Sequence, residues 1–376
     1  MKIEDLALQR TKYKHLSDDE WRWFLQQVEG KERTADKLPS FAAIDDWWYP
    51  VRLSCEQCSS ELAARYKASL VESQNGTEPV ESHFVDLTGG YGVDTYFLSE
   101  QFGHTDYVEQ NAELCRIAEH NFAIMAKGER RKVNVHNTSA ETFLASAGQY
   151  DLIFLDPARR DSHGGKVFRL EDCTPNVVEL LPTLLQHGKR ILLKLSPMLD
   201  LTQAIKELSA VSLQWSVYVV AIKNEVKEVL LLSGGSGQIT AIDLDKKDQA
   251  FVFSKEEEGK ANFKYQISNF KFIYEPNAAI LKAGAYKLIA ERFGLFKLDV
   301  NTHLYASEEL VSNFPGRVWK IVEKQDLKHA NVLCRNYPLT PEALKKKLHL
   351  RDGGTAFVIG CRVNGKPTLF FAERIA

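Results

Sequence analysis

The chain has 376 residues, of which 44% are hydrophobic and 10% aromatic, enough for two or three packed domains. No run approaches the roughly 18 uninterrupted apolar residues of a membrane span. Residues 1–10 carry acids and no apolar core of a secretion signal, so a soluble, cytoplasmic protein is expected. The net charge of −2 conceals a segregation: residues 314–376 hold 12 Lys or Arg against 5 Asp or Glu, a net of +7, and the remainder sums to −9.

Residues 1–81 read as a helical region. Ser17 and Glu20 have capping-box spacing at the start of SDDEWRWFLQQVEG, and Gly30 is the expected stop. CEQCSSELAARYKASLVES reads as one further helix with Leu62, Ala63, Tyr66 and Leu70 on one face. Between them Trp47, Trp48 and Tyr49 could stack on bases, but aromatics at such a junction more often pack. Of the six cysteines, at 55, 58, 115, 173, 334 and 361, only Cys55 and Cys58 make a pair. That is two ligands short of structural zinc, so no metal is expected and the thiols read as reduced. SQNGTEPVES reads as a linker.

The chemistry begins at FVDLTGGYGVD, residues 84–94. An apolar strand carrying Asp86 breaks into Gly89, Gly90 and Gly92, and then Val93, Tyr96, Phe97 and Leu98 recur at helical spacing. A phosphate-gripping loop would need Lys and Ser or Thr after its last glycine, and here Val93 and Asp94 follow. A dinucleotide pyrophosphate would meet Asp86 and Asp94 on either side of the turn. A cationic ligand would not be repelled, and S-adenosylmethionine carries a sulfonium and an ammonium. TDYVEQN then ends a short strand on Glu109, roughly 20 residues beyond the turn, where an open α/β fold places the acid for a ribose diol.

DLTGGYG, VEQN, SAE at Ser139 to Glu141, and LDPARR at Leu155 to Arg160 together resemble, in order and spacing, motifs one to four of class I S-adenosylmethionine-dependent methyltransferases. The loop is similar to the DxTxGxGxD form of some ribosomal RNA guanine methyltransferases, with Thr88 in place of the commoner first glycine. The resemblance implies S-adenosylmethionine as cofactor, held by Asp86, Thr88, Gly90, Gly92, Glu109, Ser139, Ala140 and Glu141. In relatives that methylate base amines, a side-chain oxygen and a prolyl carbonyl accept the amine hydrogens, which casts Asp156 and Pro157 as catalytic. Ala158 and Arg159 replace that motif's second proline and its aromatic. The uridine C5 enzymes, which share a similar DPPR, attack with a cysteine after the fifth strand. Here that stretch reads KLSPMLDL and has no thiol. Arg159 and Arg160 are candidate grips for phosphate or carboxylate, or partners of Asp161 or Glu171. Lys194 and Ser196 are further candidate substrate contacts, Lys194 being the more readily structural of the two.

From residue 82 apolar strands alternate with helices until SVYVVAIKNEVKEVLLLS, where a tight turn near Lys223 to Glu225 makes the last strand antiparallel. The expected fold is α/β: a Rossmann-like class I methyltransferase domain over 82–235, with a mostly parallel seven-stranded sheet, behind the helical region 1–81. KKDQAFVFSKEEEGK reads as a charged hairpin, and EPNAAILKAGAYKLIAERFG as one helix from Pro276 to Gly294. NYPLTPEALKKK reads as a helix opened by Thr340 and Pro341, followed by a hairpin turning at Asn364 and Gly365. The stretch from about residue 272 resembles the small ferredoxin-like and THUMP-like modules of a bacterial methyltransferase family with a DPARR signature. The implied small α+β domains are a linker hairpin with a ferredoxin-like domain over 236–318 and a basic THUMP-like domain over 319–376.

The expected activity is methylation of an exocyclic base amine in tRNA or rRNA. A small-molecule or protein methyltransferase, and a non-catalytic RNA-binding protein on the same fold, stay open as alternatives. An RNA partner is expected and no membrane.

Overall fold

A computed structural model describes the chain except residues 1–2, 4–5, 7–8, 72–80, 127–131, 160–168, 209–212, 263–268, 325 and 376. Two compact units result, residues 1–213 with 231–234, and residues 214–230 with 235–376.

In the first unit, helix α1 (Asp18–Thr34) opens on the expected capping box: Glu20 N–H donates to Ser17 Oγ at 3.2 Å, and Ser17 N–H to Glu20 Oε2 at 2.7 Å. The helix does not stop at Gly30. A Cβ there would fall 2.2 Å from Tyr49 Cβ, so the glycine serves a close approach and not a terminus. The helix expected over CEQCSSELAARYKASLVES is two, α2 (Arg52–Gln57) and α3 (Glu61–Val71), parted where Cys58 is extended. The buried face of α3 is Ala63, Ala64, Lys67, Ala68 and Val71; of the expected Leu62, Ala63, Tyr66 and Leu70 only Ala63 belongs to it. Its small residues let α3 lie against α4 (Val93–Leu98).

The strands of this unit are β1 (His83–Asp86), β2 (His104–Glu109), β3 (Lys132–Asn137), β4 (Tyr150–Leu155), β7 (Gly188–Leu195) and the end of β9 (Glu225–Ser233), in the order β3-β2-β1-β4-β7-β9. A short ribbon of β5 (Ala158–Arg159) and β6 (Cys173–Thr174) stands apart. Strands β1 to β4 and β7 pair in parallel. Succession runs outward from β1 in both directions, so β1 and β4 flank the switch point at whose carboxyl ends ligands bind.

In the second unit, β8 (Trp215–Ile222) turns at Lys223 and Asn224, both left-handed at φ 53° and 60°, into the antiparallel first part of β9. Two strands beyond the expected seven follow: β10 (Ile239–Asp243), parallel to β8, and β11 (Phe251–Phe253), antiparallel to β10. The charged hairpin expected here is instead β11 followed by helix α5 (Lys255–Lys260). Its capping box, Glu257 N–H to Ser254 Oγ at 3.1 Å and Ser254 N–H to Glu257 Oε2 at 2.7 Å, lay hidden in the charge run.

The single helix expected from Pro276 is also divided. Pro276 ends β12 (Phe272–Pro276), Asn277 caps α6 (Ala278–Ala283), left-handed Gly284 stops it, and α7 (Leu288–Arg292) follows. The remaining strands are β13 (Phe296–Asp299), β14 (Thr302–Ser307), β15 (Gly316–Val322), β16 (Asn331–Arg335), β17 (Ala356–Val363) and β18 (Lys366–Arg374). They form with β12 a sheet of order β13-β14-β12-β15-β18-β17-β16, with Ile273, Leu304, Trp319 and Ile359 in its core. Helix α8 (Pro341–Lys347) joins β16 to its parallel neighbour β17 and starts on Thr340, and the last hairpin turns at Asn364 and Gly365, both as read from the sequence.

Candidate active site

The glycine turn leaves β1 at the switch point. Asp86 is 1% exposed, and its carboxylate faces inward: the Thr95 hydroxyl donates to Oδ2 at 2.6 Å and the Thr88 N–H to Oδ1 at 2.9 Å. Burial dominates these two donors, and with the nearby charges of Asp94 and Asp156 it pushes the carboxyl up to about 7. Asp86 thus ties the strand end to the first turn of α4. Thr88 uses its hydroxyl differently. Its Oγ1 accepts the Asp156 N–H at 2.6 Å, which fixes the residue after β4 to the turn after β1.

Gly89 runs against the Tyr107 ring, where a Cβ would fall 2.1 Å from Cε2, and Gly92 is left-handed at φ 81° as the N-cap of α4. Between them the Gly90 N–H donates to Glu109 Oε2 at 2.9 Å, and the Tyr107 hydroxyl donates to the Gly90 carbonyl at 2.6 Å. Glu109 Oε1 accepts the Asn111 N–H at 2.8 Å. Each carboxylate oxygen has two acceptor sites, so both retain capacity for a hydroxyl.

The SAE stretch lies beside Glu109 because the Thr138 N–H donates to the Glu109 carbonyl at 3.1 Å. Ser139 caps a short helix, its Oγ accepting the Thr142 N–H at 3.1 Å. Ala140 is buried and Glu141 exposed. On the other side of β1, the Asp156 side chain is 39% exposed and receives a hydrogen bond from Lys194 Nζ on Oδ2. Pro157 is half-buried beside it. Ser196 Oγ accepts the Met198 N–H at 3.3 Å, shaping the turn after β7. The backbone of Arg159 pairs with Cys173, while Arg160 lies outside the described residues. Glu171, one proposed partner of these arginines, is paired with Arg169 at 2.9 Å.

Two residues of this site were not anticipated. Lys67 is fully buried, with Nζ 3.1 Å from Asp94 Oδ1, and the Ser59 hydroxyl donates to Asp94 Oδ2 at 2.7 Å. Burial alone would raise the Asp94 carboxyl, but the Lys67 and Lys194 charges outweigh it and hold the group below its ordinary value. The signal was the four-residue spacing of Lys67 from Ala63 and Val71, on the apolar stripe of α3.

Trp47 and Tyr49 are packing residues. They share a core with Leu38, Phe41, Tyr91, Val93 and Phe97, and Trp48 stacks on His120 at 3.6 Å. Burial pushes the Cys55 thiol up to about 12 and also raises Cys58. Among the described residues no cluster of three His, Cys, Asp or Glu side chains could hold a metal, and no helix is long and apolar enough to cross a membrane.

Residues 272–315 match the model of a ferredoxin-like domain, and residues 311–374 that of a THUMP domain-like module. A solved structure from Porphyromonas gingivalis W83, described as a candidate methyltransferase, superposes with a TM-score of 0.84 at 32% identity, covering 96% of this chain and 92% of that one. The chain belongs to this family of class I methyltransferases. An uncharacterised S-adenosylmethionine-dependent methyltransferase of Mycobacterium tuberculosis is 25% identical over 228 residues, which is 56% of this chain. The chain spans 60% of the length of that relative. The donor set fits the family's cofactor: a turn with a left-handed glycine and a carboxylate at the tip of β2 with acceptor capacity left.

Proposed function

We propose that this methyltransferase acts on RNA, methylating an exocyclic base amine, with Asp156 as the acceptor of the amine hydrogens. The observation that carries the reading is the fixing of Asp156 at the switch point, its N–H on Thr88 Oγ1 and its Oδ2 on Lys194. A carboxylate so held can receive an amine N–H and turn the nitrogen lone pair in one direction. S-adenosylmethionine, held by Gly90, Gly92, Glu109 and the Ser139 to Glu141 turn, supplies the methyl group as an electrophile. The chain itself supplies position and a fixed set of charges, which is most of what such a displacement asks of a protein. Pro157, by its carbonyl, is the second acceptor in this scheme.

The RNA assignment is supported by the THUMP domain-like match and by the +7 charge of residues 314–376. The test uses labelled S-adenosylmethionine with total RNA, soluble protein and small metabolites from cells lacking the protein. Label in RNA, recovered as an amine-methylated nucleoside, is expected. Label confined to protein or metabolites would replace the acceptor class, and binding of RNA without label in any fraction would replace the enzyme by a binding protein.

A further inference from the structure

We propose that Lys67 is a positioning residue for Asp156, acting through Asp94 and Lys194, so that the helices before the glycine turn belong to the transfer machinery. The inference rests on the reading of Asp156 as acceptor of the substrate amine.

Lysines and carboxylates alternate in one line. Lys67 Nζ lies 3.1 Å from Asp94 Oδ1; Lys194 Nζ lies 3.5 Å from Asp94 Oδ2 and donates to Asp156 Oδ2. Ser59 completes the first link, accepting from Lys67 Nζ at 3.3 Å while donating to Asp94 Oδ2 at 2.7 Å. Lys67 is 0% exposed, so its ammonium depends on that carboxylate for the solvation it has lost.

The consequence falls on Lys194, which stands between two carboxylates of unequal burial. Asp94 is 10% exposed at its side chain and Asp156 39%, so attraction to Asp94 is the less screened of the two. An Asp94 without Lys67 would therefore draw Lys194 to itself. With Lys67 and Ser59 already meeting Asp94, Lys194 stays on Asp156, fixes that carboxylate's rotation, and leaves Oδ1 its acceptor capacity. The charges sum to zero only when both lysines are present. Lys67 thus acts on the reacting centre without touching substrate or cofactor.

The test compares Lys67→Met with Lys67→Met/Asp94→Asn in the full chain. The single variant should lose roughly tenfold in kcat for RNA methylation with cofactor Kd within about threefold of wild type. Its crystal structure should show Lys194 on Asp94. In the double variant the competing charge is gone, so Lys194 should return to Asp156 and kcat should recover to within about threefold of wild type. A purely structural Lys67 would be rescued in stability as well, because the double variant removes the buried charge that the single one strands, but it leaves Lys194 on Asp156 in both variants. A folded double variant no better than the single, or a single variant with wild-type kcat, overturns the proposal. If Lys67→Met does not fold, the double variant decides alone: near-wild-type kcat supports the proposal, and a loss of roughly tenfold overturns it. The position of Lys194 needs no acceptor to be read. Wild-type protein that labels no RNA would therefore refute the functional reading, while Lys194 still on Asp156 in Lys67→Met would refute this one.

Discussion

The Trp47 indole N–H donates to the Tyr91 hydroxyl at 3.0 Å, and that hydroxyl donates in turn to the Trp48 carbonyl at 3.3 Å. Tyr91 is the residue between Gly90 and Gly92, so the glycine turn is braced from outside by the helical region. Trp47→Phe keeps most of the ring but removes the donor and some volume, and about 1 to 3 kcal/mol of stability should go with them. Cofactor affinity should fall as well, because the turn loses its outer support. Urea unfolding and calorimetry measure the two effects, and a variant with unchanged midpoint and affinity would show that the brace is idle.

Glu109 holds the Gly90 N–H on Oε2, and in the proposed cofactor site the same carboxylate would offer acceptors to a ribose diol. Glu109→Ala should weaken S-adenosylmethionine binding by about 1.5 to 3 kcal/mol, the range for lost hydrogen bonds to a charged group. Glu109→Gln keeps one acceptor for the Gly90 N–H and should lose less. Calorimetry on the three proteins tests this, and equal affinity throughout would remove Glu109 from the cofactor site.

Asp156 is expected to divide transfer from binding. Its proposed partner, the substrate amine, becomes nucleophilic only in the transition state, so Asp156→Ala should bind cofactor nearly as wild type and methylate at a small fraction of its rate. Undiminished turnover in this variant would exclude Asp156 from the chemistry.

Asp86 should make the fold sensitive to pH in a defined direction. Its carboxyl stands at about 7 in the folded chain against 3.8 ordinarily, because it is buried. Between those values the native state holds a proton that the unfolded state has released, so this group's contribution to stability falls as pH rises through the window and levels off above about 7. The whole contribution is on the order of 4 kcal/mol. Asp86→Asn abolishes it while keeping an acceptor for the Thr88 N–H. Melting temperatures from pH 5 to pH 8 should show the variant gaining on wild type as pH rises, and parallel curves would refute the assignment.

Local features of this chain were legible from its residues because each is decided within a few positions. The apolar run into Gly89, Gly90 and Gly92 fixed strand, turn and helix. Ser17 with Glu20 marked a helix start, and the stretch Lys223 to Glu225 a tight turn, which the structure narrows to Lys223 and Asn224. The helix over 276–294 was misread because its apolar spacing continues across Gly284, whose left-handed backbone breaks it. The links that assemble the site were invisible for a different reason. Thr88 and Asp156 are 68 positions apart, and nothing local in either announces the bond between them. Lys67 had a signal, its place on the stripe of α3, but a lysine there reads as a stem with its charge in water until Asp94 is seen across from it.

The basic tail can now be divided residue by residue. Three consecutive lysines, Lys345, Lys346 and Lys347, close helix α8, where cations suit the helix dipole without any ligand. Lys345 is committed: its Nζ lies 2.5 Å from Asp352 Oδ1, and its side chain is only 22% exposed. Lys346, Lys347 and Arg351 are exposed. If this segment docks RNA, the exposed pair carries the phosphate contacts and Lys345 does not. In the full chain, Lys346→Ala/Lys347→Ala should reduce the salt dependence of RNA binding, with the slope in log Kd against log salt falling by roughly 0.7 to 0.9 per lost contact. Lys345→Ala should leave the slope unchanged and lower stability slightly, through the ion pair with Asp352. Titrations at several salt concentrations decide the matter. Three identical slopes would show that these lysines serve only the helix, and the case for RNA would then rest on the methyltransferase unit.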